Sequence, residues 1–289
     1  MLLMKNFSDY ELIDTSMGYK YERWGNVYLL RPDPQIIWNH GDLYQKYKNQ
    51  LDAIYYRSSK GGGYWENIHD IPSSWVITYK NISFHIKQMG FKHTGLFPEQ
   101  SVNWDFMMKK IQNSNRKIRV LNLFAYTGGA TIACLSAGAH VTHVDSSRGM
   151  VDWCRENVLL NHLDGEKIRY IVDDVTKFVE REIRRGNHYD AIVMDPPSYG
   201  RGANKEVWNI EKNLNYLIEI CVKLLSDKPL FFLINSYTTG FSSMVLKNLL
   251  EVHMPKNYGG TISCGEIGIP SSNGFVLPCG IYGKWENDE

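Results

Sequence analysis

The 289-residue chain has a net charge of only +1 and lacks a long apolar run and a cluster of cysteines. Its 32 lysines and arginines balance 31 aspartates and glutamates, so any polyanion must bind to local patches rather than to a strong overall field. No stretch of about 18 apolar residues is present, which excludes a membrane-spanning helix. A hydrophobic content of 43% with 22% charged residues argues against disorder, collagen and coiled coil.

The cysteines form no CxxC pair, and the beginning of the chain lacks the basic start and apolar core of a signal peptide. Five unclustered cysteines are typical of reduced thiols. The nine histidines show no spacing typical of zinc, so we assign no metal. We therefore expect a cytoplasmic protein without a membrane or a metal partner, and nothing in the sequence indicates an oligomeric state.

Residues 1–95 and 96–289 differ in their patterns of apolar and polar residues, which predicts two domains. The first region has short alternating runs that favour strands, and it predicts a small β-rich N-terminal domain. Its candidate strands are Tyr19–Trp24, Val27–Leu30, Trp75–Tyr79 and Ile82–Ile86.

From Val102 onward an amphipathic helix is followed by alternating strands and helices. This alternation predicts an α/β fold with a Rossmann-like, doubly wound and mostly parallel sheet covered by helices on both faces. The candidate strands are Arg119–Phe124, His140–Val144, Ile168–Val172, Tyr189–Met194 and Leu230–Asn235, with a final antiparallel pair at Thr261–Ile269 and Phe275–Trp285. The candidate helices between them are Gly129–Ala137, Met150–Asn161, Thr176–Arg185, Glu211–Leu225 and Phe241–Leu250.

The carboxyl ends of these strands are the expected ligand positions in a doubly wound sheet. After the first strand, Gly128 and Gly129 open a helix and allow the backbone to pass close to a ligand. The order is not GxGxxG and no Lys-Ser/Thr follows, which disfavours a dinucleotide fingerprint and a phosphate loop. An ordinary tight turn is the alternative interpretation.

Acidic residues follow the second and third strands. Asp145 could accept two hydrogen bonds from a ribose diol, or it could cap the helix after Ser147. Asp173 and Asp174 could likewise cap the next helix or accept from an adenine amino group. Both interpretations stay open for each position.

The fourth strand ends in Asp195-Pro-Pro-Ser-Tyr199. The two prolines cannot continue a strand ladder and stiffen the chain into an extended loop. Such a loop could direct Asp195 and a proline carbonyl at a planar amine while Tyr199 stacks on a ring. The four strand ends together are more specific than any one of them.

Together, the motifs Val120–Gly129, Asp145, Asp174 and Asp195–Gly202 resemble those of class I S-adenosylmethionine-dependent methyltransferases. Within that superfamily the chain resembles the bacterial large-subunit ribosomal RNA methyltransferases that modify cytosine C5 or guanine N7. Thr94–Gln100 resembles the short motif that precedes the core in this branch and closes over the cofactor. The resemblance identifies 96–289 as the methyltransferase domain.

The resemblance implies S-adenosyl-L-methionine as the cofactor and places Gly128 and Gly129 against its methionine part. It assigns the ribose to Asp145 and the adenine N6 to Asp174. The residues assigned to the cofactor are Phe97, Glu99, Gln100, Asn122, Phe124, Ala125, Tyr126, Thr127, Gly128, Gly129, Asp145, Ser146, Asp173, Asp174 and Asp195. The residues assigned to methyl transfer are Asp195, Pro196, Pro197 and Tyr199.

Members of that branch that methylate cytosine C5 need a thiolate that adds to C6 of the base. The resemblance places that cysteine just after the fifth strand, where Leu233–Gly240 contains none. Cys264 and Cys279 lie later and are expected to act as small buried apolar residues. We therefore expect direct in-line transfer to a base of ribosomal or other RNA without a cysteine adduct.

Two other functions remain open from the sequence. Near-zero net charge and the absence of a basic arm are compatible with a small-molecule methyltransferase. A non-catalytic protein of the same fold that binds the cofactor or RNA is the second alternative. Retention of Asp195-Pro-Pro197 favours an enzyme, because a merely structural descendant does not need that loop.

Overall fold

A computed structural model of the chain describes residues 1–58, 62–165, 167–201, 207–238 and 240–288. Among these residues, no helix has both the length and the apolar character that crossing a bilayer requires. Gly202, the last residue of the motif that begins at Asp195, lies outside the described residues, as does the side chain of Arg201.

The N-terminal part consists mainly of short strands. In β8 the alternate residues Ile82, Phe84 and Ile86 are buried, which is the pattern of a strand with one face on a core. The elements of this part are β1 (Leu2–Leu3), β2 (Tyr10–Ser16), β3 (Tyr19–Trp24), β4 (Val27–Pro32), α1 (Leu43–Tyr47), β5 (Ala53–Arg57), β6 (Gly63–Asn67), β7 (Trp75–Tyr79) and β8 (Ile82–Ile86). Strands β2 to β6 form a five-stranded sheet in the order β2-β3-β4-β5-β6, and β7 and β8 form a two-stranded sheet. The predicted β-rich N-terminal region is confirmed.

The rest of the chain alternates strands and helices after a short 3-10 turn at Pro98–Gln100. The elements in chain order are α2 (Ser101–Asn113), β9 (Arg119–Leu123), α3 (Gly129–Ser136), β10 (His140–Asp145), α4 (Arg148–Leu160), β11 (Ile168–Val172), α5 (Val175–Arg184), β12 (Ala191–Met194), β13 (Tyr199–Arg201), β14 (Val207–Asn209), α6 (Ile210–Val222), β15 (Phe231–Ser236), α7 (Ser243–His253), β16 (Thr261–Pro270) and β17 (Val276–Glu286). A second 3-10 turn, Lys256–Tyr258, precedes β16.

The main sheet has eight strands in the order β1-β16-β17-β15-β12-β9-β10-β11. The pairs β9–β10, β10–β11, β9–β12 and β12–β15 are parallel, whereas β15 pairs antiparallel with β17. The chain runs from β9 outward through β10 and β11 and then returns to β12 on the other side of β9. This reversal makes the crevice between the ends of β9 and β12 the topological switch point, and the predicted fold class is confirmed.

Alternate residues of the central strands face opposite sides of the sheet. Leu121 and Leu123, Ile192 and Met194, and Phe232 and Ile234 belong to one core cluster with apolar residues of α5, α6 and α7. On α2, Trp104, Met107, Met108 and Ile111 are buried, as its amphipathic pattern predicted. The aromatic ring of Phe106 on this helix packs edge-on against Phe231, at 5.4 Å between centroids.

The chain divides into two compact units. The larger unit contains Met1–Leu2, Asn103–Ile267 and Gly280–Glu289, and the smaller unit contains Leu3–Val102 and Gly268–Cys279. Within the smaller unit the returning segment contacts β2, since the amide of Ser272 donates to the carbonyl oxygen of Leu12 at 2.9 Å. The division of the chain after residue 95 stays a prediction about domains.

Candidate functional site

Four parallel strands of the larger unit are in register near their carboxyl ends. Their register aligns Val144, Leu123, Met194 and Ile234 across β10, β9, β12 and β15. The next residues therefore lie side by side at this edge: Phe124 and Asp195 follow the last residues of β9 and β12, whereas Asp145 and Asn235 are still paired within β10 and β15. The crevice between β9 and β12 thus has Phe124 on one side and Asp195 on the other.

The turn after β9 is held in an unusual backbone conformation. Phe124, Tyr126 and Gly128 have φ angles of 54°, 51° and 92°. A Cβ atom at Gly128 would lie 2.5 Å from the Sγ atom of Cys154, so the position requires glycine for both its conformation and its space. Gly128 is the N-cap of α3, so the first backbone N–H groups of this helix lack partners within the helix.

A buried polar network lies behind this turn. The side-chain amide of Asn122 donates to the Thr131 hydroxyl oxygen at 2.9 Å, and that oxygen lies 2.9 Å from Nδ1 of His143. The side-chain amide of Asn157 donates to the carbonyl oxygen of Thr127 at 2.9 Å. Burial lowers the pKa of His143 to about 3, so its imidazole is neutral at physiological pH. The sequence predicted cofactor roles for Asn122 and Thr127 but gave no sign of Thr131, His143 or Asn157.

Asp145 binds two backbone amides. Its Oδ2 atom accepts from Tyr126 at 2.9 Å and its Oδ1 atom accepts from Ser147 at 2.8 Å. Ser147, and not Asp145, is the N-cap residue of α4, and Ser146 is exposed. Burial raises the pKa of the Asp145 carboxyl. Each carboxylate oxygen has a second lone-pair direction, so these bonds leave acceptor capacity for a ligand.

Asp173 and Asp174 accept hydrogen bonds from backbone amides at the N-terminus of α5. Asp174 is the N-cap, and its Oδ1 atom accepts from the amide of Lys177 at 2.9 Å. Asp173 accepts from the amide of Asp174 at 2.8 Å and forms an ion pair with Arg181. The helix-cap interpretation therefore holds for Asp174, and a role toward adenine rests on its remaining acceptor capacity.

Asp195 is half-buried at the end of β12. Burial alone raises the pKa of its carboxyl to about 6. Within the described ranges no residue donates a hydrogen bond to it or pairs with it ionically. A carboxylate with this pKa and with free acceptor oxygens is suited to accept a hydrogen bond or a proton from a ligand near neutral pH.

The loop that follows Asp195 is fixed by side chains from outside it. The indole N–H of Trp208 donates to the carbonyl oxygen of Pro197 at 2.6 Å, and the hydroxyls of Ser198 and Thr238 lie 2.8 Å apart. Pro196 is buried, whereas Tyr199 opens β13 and is 54% exposed. Because β13 and β14 are only three residues each, the sequence did not predict this hairpin, and no sequence signal pointed to Trp208.

Phe97, Glu99 and Gln100 belong to the smaller unit. There, Phe97 immediately precedes the 3-10 turn Pro98–Gln100, and its ring lies 5.2 Å from that of His93. Glu99 is buried. No group of three or more potential metal ligands occurs in the described part of the chain.

Comparisons with known proteins identify a family. A family model described as S-adenosylmethionine-dependent methyltransferase matches residues 54–246. The chain is 30% identical over 194 residues to ribosomal RNA large subunit methyltransferase K of Neisseria meningitidis serogroup B, covering 66% of this chain and 52% of that protein. It is 30% identical over 183 residues to the K/L methyltransferase of Syntrophotalea carbinolica, covering 63% of this chain and 25% of the relative. The chain thus spans about half of the first relative and about a quarter of the second.

Solved structures extend the similarity to nearly the whole chain. The crystal structure of a SAM-dependent methyltransferase from Agrobacterium tumefaciens has a TM-score of 0.93 and 34% identity, covering 99% of this chain and 92% of that one. The structure of SMU.776 complexed with SAH has a TM-score of 0.74 at 19% identity, covering 97% of this chain and 76% of that one, which is a likeness of fold.

Proposed function

The chain belongs to the S-adenosylmethionine-dependent methyltransferases, and on that premise we propose that it methylates a base of ribosomal or other RNA. The observation that carries the proposal is Asp195, a desolvated carboxyl group at the switch point of the sheet that has a pKa of about 6 and no ion-pair or hydrogen-bond partner among the described residues. The names of the relatives from Neisseria and Syntrophotalea support RNA as the acceptor class.

The residues at the strand ends fit S-adenosyl-L-methionine. Gly128 has no side chain to obstruct a ligand that approaches the α3 amides, the Asp145 carboxylate binds the turn through the amide of Tyr126, and Asp174 caps α5 after β11. We assign the ribose hydroxyls to the remaining acceptor positions of Asp145 and the adenine amino group to Asp174. Phe97, Glu99 and Gln100 retain the border role that their motif implies. When bound, the cofactor supplies an electrophilic methyl group on a sulfonium centre.

The residues of this chain place the acceptor base for attack. Asp195 accepts a hydrogen bond from the reacting amine and takes up the proton that leaves as the nitrogen is alkylated. The Pro196 carbonyl and the exposed ring of Tyr199 orient and stack the base. A base in a duplex has to be flipped out of the helix to reach this position.

We propose transfer without a covalent adduct, because the segment Leu233–Gly240, at the end of β15 and just after it, contains no cysteine. Burial raises the pKa of the Cys279 thiol well above its ordinary range, which makes it a poor nucleophile. Cys264 is half-buried, and its Sγ atom lies 3.7 Å from the sulfur of Met244. A ring or exocyclic nitrogen, which has its own lone pair, is the acceptor that suits direct transfer.

A small-molecule acceptor is the second candidate function. The observation that favours it is that basic side chains are engaged within the protein: Arg116 pairs with Asp190 at 2.8 Å, and Lys110 donates to the carbonyl oxygen of Asn287 at 2.7 Å. Such residues offer less charge to RNA phosphates than their sequence positions suggest. A cytoplasmic location is part of the RNA proposal.

Methyl transfer into cell extracts tests the acceptor class. The protein is incubated with cofactor carrying a labelled methyl group and with total RNA from a strain in which the gene is deleted, or with the small-metabolite fraction of the same cells. We expect label in RNA with the wild type and none with Asp195→Ala. Label in the metabolite fraction alone would replace the RNA proposal by the small-molecule function.

A further inference from the structure

Trp208 connects the two loops that border the switch point. Its indole N–H donates to the carbonyl oxygen of Pro197 at 2.6 Å, and its ring lies 4.9 Å from that of Phe124 between centroids. Phe124 begins the glycine turn after β9, whereas Pro197 lies in the loop after β12. One side chain therefore contacts both the turn assigned to the cofactor and the loop assigned to the acceptor.

The strand register places Trp208 and Tyr199 on opposite faces of the β13–β14 hairpin. In the β13–β14 hairpin Trp208 pairs with Gly200, and Asn209 pairs with Tyr199. Directly paired residues of an antiparallel ladder point to the same face, and neighbours along a strand point to opposite faces. A Cβ atom at Gly200 would lie 3.6 Å from Pro197 and 3.9 Å from Trp208, so this face is the one turned toward the loop. Tyr199 projects from the other face.

The loop depends on donors from elsewhere in the chain. Pro196 and Pro197 have no backbone N–H, so they cannot donate to a neighbouring strand or turn. Trp208 supplies a donor to this segment from β14, and the Ser198 carbonyl accepts from the amide of Ile210 at 3.1 Å. Removal of the indole donor leaves the Pro197 carbonyl without that bond, and the segment that begins at Asp195 is then less constrained.

We propose that Trp208 is a positioning residue that couples the cofactor turn to the acceptor loop and thereby fixes Asp195 for methyl transfer. This inference rests on the proposed function of the same site. When the cofactor binds against Phe124, the contact between the Phe124 and Trp208 rings holds the indole in position. The indole N–H in turn holds the loop through the carbonyl oxygen of Pro197. The ring and the N–H thus have separable roles.

Two substitutions separate those roles. Trp208→Phe retains an aromatic ring beside Phe124 but removes the N–H donor, and Trp208→Ala removes both. The matched control is Trp65→Phe in the smaller unit, because Trp65 also donates its indole N–H to a backbone carbonyl, that of Met89, at 2.9 Å. Its ring likewise has one aromatic neighbour, Tyr55, at 5.4 Å between centroids.

Turnover is measured with total RNA from the deletion strain, and S-adenosylhomocysteine affinity is measured by calorimetry. For Trp208→Phe we expect kcat to fall by about tenfold or more, since a displacement of about 1 Å can cost on the order of 100-fold in rate. KM for RNA and the Kd of S-adenosylhomocysteine should change by less than about threefold, because the other contacts to the base and to the cofactor are intact. Trp208→Ala should lower kcat at least as far and also raise that Kd severalfold. Trp65→Phe should leave all three values within about twofold.

A wild-type kcat in a folded Trp208→Phe variant would overturn the inference. A wild type that does not methylate RNA would instead refute the proposed function, and the coupling is then tested without an acceptor. In nitrogen-15 spectra, S-adenosylhomocysteine should shift the indole signal of Trp208 and slow its hydrogen exchange while the signal of Trp65 stays in place. An unchanged Trp208 signal at saturation would contradict the coupling.

Discussion

Replacement of Asp195 by asparagine should make the protein more stable and nearly inactive at neutral pH. Burial raises the pKa of the carboxyl to about 6 in the folded protein, compared with about 3.9 in an unfolded chain. The folded state therefore binds the proton more tightly than the unfolded state. Full stability is present below about pH 4, declines as the pH rises to about 6, and stays at the lower value above it.

The size of this effect follows from the difference between the two pKa values. The folded and unfolded pKa values of Asp195 differ by about two, and each pKa unit corresponds to about 1.4 kcal/mol. The cost of ionising Asp195 in the folded protein is therefore at most about 3 kcal/mol. Because the side chain is only half-buried, we expect about 2 kcal/mol. Asp195→Asn removes the charge and should raise the melting temperature by several degrees at pH 7.5, at about 2–4 °C per kcal/mol. The two proteins should melt together near pH 4.

The same variant should lose kcat by at least about 100-fold, because asparagine cannot take up the amine proton. Affinity for S-adenosylhomocysteine should change by less than about fivefold, since other residues hold the cofactor. Wild-type activity should decline as the pH falls through about 6. The matched control is Asp227→Asn at an exposed position, which should change stability by less than about 0.5 kcal/mol. An Asp195→Asn protein that melts no higher than the wild type at pH 7.5 would refute the desolvated charge, and near-normal turnover would refute its role in methyl transfer.

Three further predictions concern the cofactor turn and the mechanism. Asp145→Ala should weaken S-adenosylhomocysteine binding by roughly 1.5–3 kcal/mol in calorimetry, and intact affinity in a folded variant would exclude the ribose role. Gly128→Ala should lower the free energy of unfolding by about 1–3 kcal/mol through its positive φ and its contact with Cys154, and urea titration should show part of that loss restored by Cys154→Ala. Cys264→Ser and Cys279→Ser should leave turnover nearly intact. RNA that contains 5-fluorocytosine should give no stable enzyme adduct on denaturing gels, and its appearance would disprove direct transfer.

The sequence predicted the parallel core closely because strong periodic signals coincide there with strand-to-helix turns. β11 was expected at Ile168–Val172 and occurs there, and the helix expected at Thr176–Arg185 occurs one residue earlier because Asp174 is its cap. α1 and the β13–β14 hairpin were missed because five or three residues are too few for a period to be recognised.

The surroundings of the site depend on contacts between residues that are distant in sequence. Cys154 and His143 lie behind the glycine turn through the packing of α4 and β10, so their positions in the chain gave no sign of it. The cap and ligand roles of Asp174 could not be separated because both require a carboxylate at the same strand end. The hydrogen bond that Asp174 accepts from the Lys177 amide identifies it as a helix cap. Calorimetry on the Asp145 and Asp195 variants tests which residues at this edge of the sheet bind the cofactor.

The return of Gly268–Cys279 to the smaller unit has a consequence for biosynthesis. A ribosome makes β2 first and the segment that pairs with it more than two hundred residues later, since Leu12 bridges to Ser271 and Asp14 accepts from Asn273. During most of translation the nascent N-terminal strands lack these partners, so completion of the smaller unit waits for long-range contacts, which form slowly. A ribosome that stalls after α7 would therefore release a chain in which the larger unit has most of its sequence and the smaller unit is still incomplete.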